Sequence, residues 1–143
     1  MRHILPLPPA SDDFIAVAAK FKHSLALRSN GTVVGWGQNN HGQSESPPGD
    51  DFVAIAAGLV HSLALRADGS LYAWGYDGNG ECQVPSGNNF ISVEAGDYHN
   101  LALCLDGSIV AWGDNEHGEC DVPPGNDYVA VSAGSSPTFT VES

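Results

Sequence analysis

The chain has 143 residues, 42% hydrophobic and 15% charged, with a formal net charge of −12. That length suffices for one domain with a real core, and no apolar run approaches the roughly 18 residues needed to cross a bilayer, so the expectation is a soluble, globular chain with no membrane role. All five bases (Arg2, Lys20, Lys22, Arg28, Arg66) lie in the first 66 residues beside five acids, whereas the last 77 carry twelve acids and no base; an acidic half repels phosphate backbones, which argues against nucleic-acid partners.

The opening MRHILPLPPASDD has one Arg and an apolar stretch broken by prolines, a poor match to a signal peptide. From Asp12 onward the sequence repeats. DDFIAVAAKFKHSLALRSNGTVVGWG at Asp12 returns as DDFVAIAAGLVHSLALRADGSLYAWG at Asp50 and as NNFISVEAGDYHNLALCLDGSIVAWG at Asn88. Phe14, Phe52, Phe90 and Tyr128 keep a 38-residue step, and a fourth copy starts at Asn126 but lacks the turn and tryptophan that should follow. One repeat domain over 1–143 follows, with units at approximately 12–49, 50–87 and 88–125 and a partial unit at 126–143.

Within a unit, FVAIAAG and HSLALR alternate apolar with small or polar residues, the signature of half-buried strands, and ADGS is a hairpin turn before SLYAWG. These predict strands a, b and c, and a short strand d around Glu81 to Val84 is expected before the Pro/Gly link. Four antiparallel strands in 38 residues is the size of a propeller blade, so the fold class is all-β, made of β-propeller blades.

Trp36, Trp74 and Trp112 recur once per unit, which predicts packing between neighbouring blades rather than ligand stacking. His23, His61 and His99 recur in the same way and are expected to make a repeated structural hydrogen bond, not to converge on a metal; Pro137 stands at the fourth position. Cys82, Cys104 and Cys120 are an odd set without a CxxC pair, read as free thiols. Asp77-Gly78-Asn79-Gly80-Glu81 resembles part of a calcium loop but lacks the distant bidentate Glu, so turn chemistry is the reading. No elbow serine, HExxH or phosphate-cradling loop appears, and no enzyme, cofactor or metal is expected.

AAG-x-x-HSLAL at Ala56 to Leu65, ADGSLYAWG at Ala67 to Gly75, and the segments NNHGQ, DGNGE and NEHGE resemble the repeats of the regulator-of-chromosome-condensation superfamily. More specifically they resemble its compact bacterial branch, which includes a propeller-type inhibitor of β-lactamases. The resemblance covers nearly the whole chain from Asp12 and implies a seven-bladed propeller. It also implies a function drawn from nucleotide exchange on a small GTPase, chromatin contact, enzyme inhibition or other protein binding.

Three and a half units are about half of such a ring, and an open arc exposes apolar blade faces. Either the chain associates with another copy, or it is cut from a longer parent, or the remaining blades belong to another chain; of these a homodimer is the favoured expectation. Two-fold closure requires an even blade count: three full blades per chain give six, and a partial fourth unit completed by the partner's segment around His3 to Leu7 would bring the total to eight.

The a–b and c–d loops should emerge on one face, the b–c turns and d–a links on the other. The turns SNGT, ADGS and LDGS are near-copies, whereas the a–b loops (KFK, GLV, GDY) and c–d loops (QNNHG, YDGNG, DNEHG) diverge. Positions released from the repeat are where recognition is expected: Phe21, Tyr76, Asp97, Tyr98 and Asp114.

Overall fold

In the computed structural model, residues 13–133 and 138–142 are described. Three sheets of three strands follow one another: β1 (Phe14–Lys20), β2 (His23–Arg28) and β3 (Val33–Gly37); β4 (Phe52–Ala57), β5 (His61–Arg66) and β6 (Leu71–Gly75); β7 (Phe90–Ala95), β8 (His99–Cys104) and β9 (Ile109–Gly113). A two-stranded sheet of β10 (Tyr128–Ala133) and β11 (Thr138–Glu142) comes last. Every pairing is antiparallel and repeats at the same register. A bulge after the aromatic that opens each unit turns Ile15, Val53, Ile91 and Val129 to solvent, and in the second and third units the strand beyond packs inward.

The b–c turn also sets the spacing between blades. Asn30, Asp68 and Asp106 accept the backbone N–H two residues on, and Gly31, Gly69 and Gly107 take φ near +88°. The carbonyls of these glycines then accept the N–H of Phe52, Phe90 and Tyr128 at 3.0–3.1 Å. A Cβ on Gly31 would overlap the carbonyl of Asp50, so both the turn and the approach of the next blade demand glycine.

Successive sheets stack: β4 lies on β1 and β2, β7 on β4 and β5, and β10 on β7 and β8. The two junctions between the three-stranded blades hold the two core clusters. Leu25, Leu27 and Val33 of the first blade meet Phe52, Ala57 and Ala64 of the second, with Ile55, Tyr72 and Trp74 against them. Leu63, Leu65 and Leu71 of the second meet Phe90, Val93, Ala95 and Ala102 of the third, with Trp112 alongside.

The histidines form the expected bond between blades. His23 Nε2 pairs with Ser62 Oγ at 3.0 Å, and Ser62 Oγ donates to the Gln43 carbonyl at 2.7 Å. One blade on, His61 Nε2 meets Asn100 Oδ1 at 2.8 Å, and Asn100 Nδ2 donates to the Glu81 carbonyl at 2.8 Å. Each junction is thus bridged by a polar relay through the histidine Nε2, while Nδ1 of His23 and of His61 is buried without a hydrogen-bond partner.

Two expectations need correction. Glu81 to Val84 is not a strand: the blades have three strands, and irregular chain fills the fourth position. Side chains take the hydrogen-bonding groups that a ladder would use. Asn39, Asp77 and Asn115 accept the N–H of Ser44, Cys82 and Cys120, while buried Gln43, Glu81 and Glu119 accept those of His41, Asn79 and His117. These bonds also give Asp77 and Glu81 the turn roles that explain their calcium-like spacing. Second, Trp74 and Trp112 pack between blades, and Trp112 Nε1 donates to the Glu81 carbonyl (3.0 Å), but Trp36 is 51% exposed. Its neighbour would be a blade before the first, and none is present among the described residues. The segment His3 to Leu7 lies outside the described residues.

Candidate functional site

The a–b and c–d loops gather on one face, and their divergent side chains meet there. β4 ends at Ala57 and β6 at Gly75, so both strands deliver their loops to the same side of the second blade. Tyr76, at the head of its c–d loop, lies edge-on to Tyr98 of the third blade's a–b loop, with ring centroids 6.2 Å apart. His41 of the first blade's c–d loop packs edge-on to Tyr76 from the other side at 5.2 Å. One aromatic row therefore crosses three blades.

A charged strut runs beside it. Lys20 Nζ, at the end of β1, lies 3.2 Å from Asp97 Oδ1 in the third blade, and the Asp97 carbonyl accepts the N–H of Leu59 in the second at 3.1 Å. Asp97 therefore ties together three a–b loops. Asp114 sits beside Tyr98, its N–H donating to the Tyr98 carbonyl at 2.8 Å. Tyr76, Asp97, Tyr98 and Asp114 are all half-buried in one cluster.

Phe21 stands apart from that cluster, at the tip of the first a–b loop. It is 67% exposed with φ +57°, and Lys22 Nζ lies 5.1 Å from its ring centroid. A left-handed conformation is costly for a bulky residue, and such strain concentrates at ligand-contacting positions.

Sequence reasoning missed Lys20, His41 and Leu59. Lys20 carried a signal, because Gly58, Gly96 and Gly134 occupy its position in the other units. His41 carried none, since its role depends on reaching a neighbouring blade.

The ionisable groups beneath this face are held inert. Burial pushes His61 down to about 4, with Lys20 and the flanking histidines adding to the effect against the Asn100 bond; burial likewise lowers His23 and His99. Burial raises the Cys82 thiol to about 12 and Cys120 to about 11, with neighbouring carboxylates contributing. Their Sγ atoms donate to the Tyr76 and Asp114 carbonyls at 3.4 Å. Such thiols are poor nucleophiles. Among the described residues no group of three His, Cys, Asp or Glu could hold a metal ion, and no helix is long and apolar enough to cross a membrane.

The regulator of chromosome condensation (RCC1) repeat matches residues 14–43, 52–81 and 90–119, one stretch per three-stranded blade. The chain belongs to the RCC1 repeat family. Solved structures share the arrangement. Prp20p from Saccharomyces cerevisiae superposes with TM-score 0.73 at 23% identity, over 90% of this chain and 44% of that one. The ectodomain of the Arabidopsis thaliana receptor kinase ACR4 gives 0.73 at 23%, over 91% and 46%, and human WBSCR16 gives 0.73 at 19%, over 91% and 44%. The chain therefore spans under half the length of these relatives, and at such identity the likeness concerns the fold. No curated protein matches the sequence.

Proposed function

We propose that the chain is a non-catalytic protein-binding module that grips its partner through the divergent loop face, with Phe21, Tyr76, Asp97, Tyr98 and Asp114 as contact residues. One observation carries this reading: the aromatic row His41–Tyr76–Tyr98 and the Lys20–Asp97 strut occupy the loop positions that the repeat leaves free to vary. Tyrosine rings with rigid support provide contact area at little entropic cost, which is why they anchor interfaces. Beyond the Lys20–Asp97 pair, charge is distributed across the face, with Lys22 on the first blade and Asp114 and Glu116 on the third, a pattern that would orient a partner of opposite polarity. The fold serves protein binding elsewhere: Prp20p is described with binding to Gsp1p and histones, and bound by Kap60. Within this reading, inhibition of a bound enzyme is the form favoured by the bacterial resemblance, and nucleotide exchange on a GTPase is the less supported form, since no loop residue specifies it.

The test is affinity capture with the chain followed by titration of the captured protein against the double variant Tyr76→Ala/Tyr98→Ala. Loss of two central aromatics should weaken binding by about tenfold or more. Unchanged affinity in the folded variant would sink the assignment of this face.

A second reading, a scaffold that assembles with copies of itself, is supported by the uncovered apolar face of the first blade. The two readings are compatible because loops and blade faces are different surfaces.

A further inference from the structure

We propose that Asn79, in the c–d loop of the second blade, is a modification site: it deamidates spontaneously, through attack by the backbone nitrogen of Gly80, while the chain stays folded. The chemistry does not depend on whether the loop face binds a partner.

Asparagine followed by glycine is the dipeptide most prone to this reaction, because glycine has no side chain to hinder its own nitrogen. The chain has two such pairs, Asn30-Gly31 in a b–c turn and Asn79-Gly80. They share the dipeptide, and the fold separates them.

At Asn30 the reacting groups are locked. Its Oδ1 accepts the N–H of Thr32 at 3.0 Å and the Thr32 hydroxyl at 2.7 Å. The Gly31 nitrogen donates to the Arg28 carbonyl at 2.9 Å, the Gly31 carbonyl accepts the Phe52 N–H, and the glycine lies against the backbone of Asp50. Bringing the Gly31 nitrogen onto Cγ of Asn30 therefore means breaking the turn and pulling it away from the second blade.

Asn79 is exposed, and its Oδ1 accepts no hydrogen bond among the described residues. Its Nδ2 makes a long contact of 3.5 Å to Glu81 Oε2. The Gly80 nitrogen donates to the Asp77 carbonyl at 3.2 Å, and a Cβ added at Gly80 would meet nothing within 4 Å, so the glycine has room to turn. His41 and His117 hold the same position in the other units, and each gives its N–H to the side chain two residues on, as Asn79 does. The loop thus needs a backbone N–H here, not an amide side chain.

The Gly80 nitrogen loses its proton to a solvent base and bonds to Asn79 Cγ. The Cγ–Nδ2 bond breaks and ammonia leaves, closing a five-membered succinimide. Water then opens the ring at either carbonyl, giving aspartate or isoaspartate with no change of oxidation state. Either product places a new carboxylate next to that of Glu81, which is fully buried, and isoaspartate also lengthens the main chain by a methylene. The Glu81 carbonyl accepts Asn100 Nδ2 at 2.8 Å and Trp112 Nε1 at 3.0 Å. Displacing it loosens the junction between the second and third blades, together with the loop that begins at Tyr76.

Peptide mass mapping of the folded 143-residue chain during storage at physiological temperature tests this, with enzymatic methylation to detect isoaspartate. The amide-to-acid conversion should appear at Asn79 and quicken as pH rises, since the attacking nitrogen must lose its proton. Two hydrogen bonds on the Asn30 carbonyl must open before that residue can react, so Asn79 should convert at least about tenfold faster. In denaturant the two pairs should convert at similar rates. Asn79→His should leave the fold intact and abolish the conversion, and its denaturant midpoint should hold on storage while that of the wild type falls. Asn30 converting as fast as Asn79 in the folded chain overturns the proposal, as does an Asn79 that stays intact until the chain is unfolded. A lead for Asn79 that persists in denaturant overturns the assignment of the difference to the fold, and an unchanged midpoint in fully converted wild type overturns the loosening of the junction.

Discussion

The first and second blades share HSLALR in their middle strands and near-identical turns, yet the same positions live in different surroundings. Phe52 is 2% exposed where Phe14 is 56%, and Trp74 is half-buried in a core cluster where Trp36 is largely open. Burial in a repeat protein is a property of the junction, and a residue contributes to stability only where a neighbour arrives to cover it.

The largest test of that contrast is truncation of the paired aromatics. Phe52→Ala should cost about 3–5 kcal/mol, the usual penalty for emptying a packed aromatic site, while Phe14→Ala in the dissociated chain should cost well under half of that. Denaturant unfolding of the two variants measures both, and equal losses would mean that the junctions do not carry the core.

Acid should break the same junctions next. A histidine held below its free value makes the folded chain bind fewer protons than the unfolded one between the two values, so stability falls as pH falls through that window. For His61 the window runs from 6.5 down to about 4, and its loss amounts to about 3 kcal/mol. His23 and His99 add in the same direction. Melting temperature should therefore decline across this range and level off below it as far as these groups are concerned. The variant His61→Gln should flatten the decline, and an unaltered slope would remove His61 as its cause.

The smallest separation concerns the polar relay. Asn100→Ala leaves His61 Nε2 without its partner in a buried site and should cost about 1–3 kcal/mol, whereas Ser24→Ala, at the equivalent position with no preceding blade among the described residues, should be near neutral in this chain. Matched unfolding curves for these two variants give the comparison its sharpest form.

Much of this was legible in the sequence because repetition separates structural demand from free variation. The 38-residue step, the strand alternation, the glycine turns and the histidine bond between blades all emerge from comparing units of one chain. The missing fourth strand was not legible: Glu81 to Val84 alternates acceptably, and only the folded loop reveals that side chains of Asp77 and Glu81 have taken the backbone N–H groups a ladder needs. In the candidate site, the divergence of the loops singled out Tyr76, Tyr98, Asp97 and Asp114, which the fold brings together. Lys20 and His41 belong to the same cluster, but their partners lie about two units and one unit away along the chain, a separation that local pattern does not encode.

The sequence alone determined the repeat, its strands and its turns, because hydrophobic alternation and glycine's access to positive φ act over a few residues. Tertiary structure alone decided which equivalent residues are covered and which divergent ones touch. Those outcomes depend on how successive blades stack, and a blade at the edge of the stack has the same sequence rules as one inside it but only one neighbour.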